Sequence, residues 1–71
     1  NMGNATEFGE RLRGLLKKHG ITQADLAKKC NMEANYISQL VNGHRLPSHE
    51  NLVKLCEAFT NQTDRIYLAG I

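Results

Sequence analysis

Residues 22–43 read TQADLAKKCNMEANYISQLVNG, and the phasing of this stretch decides the fold. Behind Thr22, the apolar residues Leu26, Ala27 and Cys30 fall on one face of a helix. The Thr22 hydroxyl is placed to cap the first free amides, and Asp25 supplies the carboxylate of a weaker form of the capping box. Asn31 then stops the helix, because its short polar side chain tolerates a left-handed backbone. Met32 leads into another helix, from residue 33 or 34 to residue 41, with Ile37, Leu40 and Val41 as its apolar stripe and Asn42-Gly43 as its end. Two helices joined by about three or four residues at a steep angle let one brace while the other enters a DNA major groove. Ala27 is the small residue that such a crossing needs, and residues 23–42 therefore read as one unit.

The flanking segments are helical as well. The first helix is expected to begin near Thr6, acting as N-cap, and to present Phe8, Leu12, Leu15 and Leu16 on one side. Gly20 ends it, and Lys17, Lys18 and His19 in its last turn complement the helix dipole. After His44-Arg45-Leu46-Pro47, Ser48 caps a fourth helix bearing Leu52, Val53, Leu55, Cys56 and Phe59. A fifth, over roughly 63–68, offers Ile66, Tyr67 and Leu68; these three and Ile71 can close the core or form a two-fold contact. Nothing alternates like a strand, so the expectation is an all-α domain of short helices stabilised by packing. Residues 1–5 are expected to be disordered or a remnant of expression (Asn1 precedes Met2), leaving 6–71 as a single domain.

Composition narrows the class. The chain has 71 residues, enough for one small domain. Its net charge of +2 is compatible with nucleic acid without arguing for it. No stretch reads as a signal peptide or membrane span, so a cytoplasmic chain is expected. Cys30, Cys56, His19, His44 and His49 lack metal-binding or disulfide spacing, and they read as buried thiols and surface imidazoles with no cofactor. There is no convergent acid–base pair, activated nucleophile or phosphate-cradling glycine loop, so an enzyme is not expected. The sequons at Asn4 and Asn61 read as helix-capping clusters.

The segments Phe8-Gly9-Glu10-Arg11-Leu12-Arg13, Gly20-Ile21-Thr22-Gln23-Ala24-Asp25-Leu26-Ala27, Tyr36-Ile37-Ser38-Gln39-Leu40 and Asn42-Gly43-His44-Arg45-Leu46-Pro47-Ser48 together resemble the Cro/C1-type, or XRE-like, helix-turn-helix regulators. The resemblance covers roughly residues 8–68. It implies a five-helix, lambda-repressor-like domain that binds double-stranded operator DNA as a transcriptional regulator, a repressor first of all. It also implies a homodimer on a pseudo-palindromic site, at a bacterial or phage nucleoid. Gln23 is similar to the family's phosphate-binding glutamine. Ala34, Asn35, Ser38 and Gln39 match the positions that face base edges, with Glu33 beside them. Asn42, His44 and Arg45 match loop contacts to the DNA backbone, which position a protein without reading sequence.

Side-chain chemistry supports part of this assignment. Asn35 and Gln39 are four residues apart on one helix face, and each can pair with adenine through two hydrogen bonds. Ala34 suits a thymine methyl, and Glu33 can accept from a cytosine amino group. Ser38 can read a base or bond back to a helix carbonyl. Tyr36 can rest on the DNA backbone or fill a gap against the next helix. Two family positions that carry an Arg–Glu pair are Leu16 and Val41 here, which predicts an apolar contact in place of an ion pair. Two rival readings use the same fold: an antitoxin whose main partner is a toxin protein, and a protein-interaction module that binds no DNA.

Overall fold

The computed structural model describes residues 2–70, so what was expected of Asn1 and Ile71 lies outside the described residues. Within them the chain forms α1 (Met2–His19), α2 (Gln23–Cys30), α3 (Ala34–Val41), α4 (His49–Glu57) and α5 (Gln62–Ala69), with no strand. The five-helix, all-α expectation holds. Its joints are made by the residues that the sequence marks for them. Thr22 Oγ1 accepts from the Asp25 amide at 3.0 Å, and the Asp25 carboxylate accepts from the Thr22 amide at 3.1 Å, closing the capping box. Asn31 takes the left-handed backbone at φ 56°. Ser48 Oγ accepts from the Asn51 amide to start α4. Asn61 Oδ1 accepts from the amides of Thr63 and Asp64 to start α5, which is one residue longer at each end than expected.

The beginning differs from expectation. α1 runs from Met2, not from Thr6, so residues 2–5 belong to the first helix. The reason is Ala5: three residues before Phe8, it continues the apolar stripe and is 2% exposed. Thr6 consequently lies inside the helix against Gly43, and Asn4-Ala5-Thr6 is not a capping cluster. At α4, Phe59 is buried from beyond the helix end, while Val53 faces solvent.

Each helix contributes a fully buried leucine or isoleucine to one core: Leu12, Leu26, Ile37, Leu40, Leu55 and Leu68. Burying each such side chain contributes about 1.5–3 kcal/mol. Leu16 and Val41 are buried in the same core, as the apolar replacement of an ion pair requires. α1 crosses the end of α3 at Gly9, where a Cβ would stand 2.6 Å from the carbonyl oxygens of Leu40 and Val41. α5 is tied to α1 by Asp64, whose carboxylate is buried between Lys18 Nζ and His19 Nε2, each at 2.8 Å. The hydrogen bond from Lys18, and then that from His19, holds the Asp64 carboxyl below its ordinary value of 3.8.

Candidate nucleic-acid interface

α3 has one face in the core and one face open. Ile37, Leu40 and Val41 point inward, and they hold the helix against α1 and α2. Glu33, Ala34 and Asn35 are exposed at its start, and Ser38 and Gln39 are half-buried further along. Glu33 is the N-cap residue by position, with an extended backbone, but its side chain makes no capping hydrogen bond. The α2–α3 joint is fixed by the Met32 amide, which donates to the Ala27 carbonyl at 2.8 Å. Ala27 itself is buried. Gln23 is the first residue of α2, half-buried, at a helix end whose free amides favour an anion.

The loop after α3 reaches back to the same face. Asn42 Nδ2 donates to Ser38 Oγ at 3.2 Å, and Arg13 Nη2 of α1 donates to Asn42 Oδ1 at 3.2 Å. Ser38 therefore bonds to the loop, which neither sequence alternative foresaw. Arg45 Nη1 donates to Gln39 Oε1 at 3.2 Å, and its Cζ stands 5.0 Å from the centre of the Tyr36 ring. Tyr36 packs on the core, and its hydroxyl accepts from Asn51 Nδ2 at 3.0 Å. Of its two readings, the one that fills the space against the next helix describes its contacts. His44 is exposed, and its backbone amide donates to the Gln39 carbonyl.

The structure thus brings Tyr36, Ser38, Gln39, Asn42 and Arg45 into hydrogen-bonded or ring contact in two small groups. Glu33, Ala34, Asn35 and His44 lie exposed near these groups in the chain, and Gln23 stands at the head of the bracing helix. Two residues that bind this face, Arg13 and Asn51, escaped the sequence reading. They meet their partners across 29 and 15 positions, and no local pattern announces such a contact. Lys28 and Lys29 are exposed in the last turn of α2. Cys30 and Cys56 are free thiols whose pKa burial pushes up. Among the described residues, no three His, Cys, Asp or Glu side chains are grouped to hold a metal ion, and no helix is long and apolar enough to cross a membrane.

Comparison with known proteins agrees with this architecture. A family model described as helix-turn-helix matches residues 12–64, more than half of the chain. The chain is 35% identical over 63 residues to the HTH-type transcriptional regulator ImmR of Bacillus subtilis (strain 168). That match covers 89% of this chain and 48% of ImmR, so the chain spans about half the length of this relative. No solved structure matches. The chain belongs to the Cro/C1-type (XRE-like) helix-turn-helix family of transcriptional regulators.

Proposed function

We propose that this chain binds double-stranded operator DNA as the reading domain of a transcriptional repressor, with α3 in the major groove. The observation that carries this reading is the open polar face of α3, held by a buried apolar face and braced by α2. Glu33, Ala34, Asn35, Ser38 and Gln39 face base edges. Gln23, Asn42, His44 and Arg45 lie along the sugar-phosphate backbone, and Tyr36, held against α4 by Asn51, supports Arg45 there. Two copies bind a pseudo-palindromic site in the cytoplasm, meeting through the exposed apolar side chains of α5, Ile66 and Tyr67. Buried Leu68 belongs to the core and takes no part in that contact.

The test is selection of bound sites from a random duplex library, followed by titration of the best site at several salt concentrations. The expected result is two half-sites about 34 Å apart and an affinity that falls steeply with salt. A library that returns no enriched sequence would overturn the proposal.

A further inference from the structure

Among the described residues, Arg11 Nε is the one buried side-chain nitrogen or oxygen with no hydrogen-bond partner. The guanidinium forms no ion pair with those residues either. A half-buried group with five donors and no acceptor calls for an explanation. Its position has a reason within the fold. Nη2 lies 3.1 Å from where a Cβ on Gly70 would stand, at the end of α5, so the charge complements that helix dipole. The dipole accounts for the charge and leaves the donors unused.

Arg11 and Gly70 line a cleft of about 430 Å³ between the start of α1, the loop at residues 46–47 and the end of α5. That volume is in the range of small-molecule sites. Phe8, Leu46, Pro47 and Leu52 supply its apolar wall, and Leu46 is left 44% exposed beside it. Glu7 is the second charged lining residue, one helical turn before Arg11 on the same face of α1. The two do not pair with each other, because the guanidinium lies toward Gly70 instead.

We infer that this cleft binds a free amino acid with an apolar side chain, its carboxylate on Arg11 and its ammonium on Glu7. The two charges select the class. A plain carboxylate would meet Glu7 and a plain amine would meet Arg11, whereas a zwitterion satisfies both. A guanidinium takes a carboxylate through two parallel hydrogen bonds. An amino acid carries both ionic groups on one carbon, which leaves its side chain free to cover Leu46, Pro47 and Leu52. None of these residues belongs to α2 or α3, so the inference stands apart from the DNA-binding reading.

The test is a titration of the isotope-labelled chain, free of DNA, with L-leucine, followed through the backbone amide resonances. The amides of residues 7–11, 46, 52, 69 and 70 should move together and saturate. N-acetyl-L-leucine lacks the ammonium, L-leucinamide lacks the carboxylate and glycine lacks the apolar side chain. Each should bind about tenfold more weakly than leucine. Glu7→Gln should weaken leucine about tenfold and abolish the discrimination against N-acetyl-leucine, and Arg11→Gln should do the same for leucinamide. A merely structural role for either residue would not produce that crossed pattern. Glu7 and Leu46 are exposed, so Glu7→Gln and Leu46→Ser, which should also weaken leucine, keep the test open if Arg11→Gln fails to fold.

Unmoved amides at these positions with leucine raised to about 20 mM, well beyond a millimolar dissociation constant, would overturn the inference. Equal binding of leucine and N-acetyl-leucine would overturn it too, by removing Glu7 from the site. Shifts scattered over the other helices would do the same.

Discussion

The carbonyl oxygen of Val41 lies so close to the backbone of Gly9 that a methyl group on the glycine would come within 2.6 Å of it. This approach lets α1 sit directly on the end of α3, with Leu16 and Val41 packed into the same core. The angle at which α3 is presented is thus set partly by a residue that has no side chain.

Gly9→Ala should destabilise the fold by about 2 kcal/mol, since the obstructing atoms are backbone and cannot rotate away. Greater helix propensity returns at most about 1 kcal/mol of this. Denaturant unfolding followed by circular dichroism measures the difference. A stabilised Gly9→Ala protein would show that the two helices do not meet so closely. Gly14, where an added Cβ meets nothing within 4 Å, is the internal control: Gly14→Ala should stabilise.

Acid should weaken the domain through Asp64. The folded protein holds this carboxyl below 3.8, so below that pH the unfolded chain takes up the proton first. The stability that Asp64 contributes is fully present well above pH 3.8, falls as pH drops through 3.8, and is gone below the lowered folded value. Asp64→Asn should flatten this part of the stability–pH curve. An unchanged acid limb in Asp64→Asn would place the pH dependence elsewhere, with Asp25 of the Thr22 capping box the next carboxyl to examine, its pKa being lowered also.

Leu16 and Val41 test the replacement of an ion pair by an apolar contact. Leu16→Arg alone buries an unpaired charge and should cost about 3 kcal/mol. Adding Val41→Glu should recover part of that loss, giving a favourable coupling in a four-protein cycle of denaturation midpoints. Strict additivity of the two changes would mean that the side chains do not face each other.

The split between reading and positioning residues is tested by Asn35 and Gln23. Asn35→Ala should cost about 1–3 kcal/mol at the selected site and relax preference at one base pair. Gln23→Ala should weaken selected and random duplexes alike while leaving the salt dependence as it is, because a neutral amide on a phosphate releases no counterion. Fluorescence anisotropy on both duplexes at two salt concentrations separates the two behaviours. The same loss on both duplexes for both variants would contradict the split.

Much of this was legible in the order of residues. Thr22 with Asp25, Asn31, Ser48 and Asn61 mark where helices begin or end, because capping is local chemistry that acts over three or four positions. The stripes through Leu12, Leu26, Ile37 and Leu40 fix which faces turn inward, because helical periodicity is local too. α1 starts four residues before Thr6, and the local signal for this is Ala5, a small apolar residue in phase with Phe8.

The sequence by itself determined five helices, the caps of α2, α4 and α5, the buried faces and the polar side of α3, since each depends on neighbours within about one or two helical turns. Only the tertiary structure decided what that polar side is bonded to. Arg13 reaches Asn42, Asn51 reaches Tyr36, and the loop brings Arg45 onto Gln39, just as Lys18 reaches Asp64 to join α1 to α5. These pairs depend on the direction in which the chain returns after each turn. That direction follows from the packing of all five helices around one core, and no single segment encodes it.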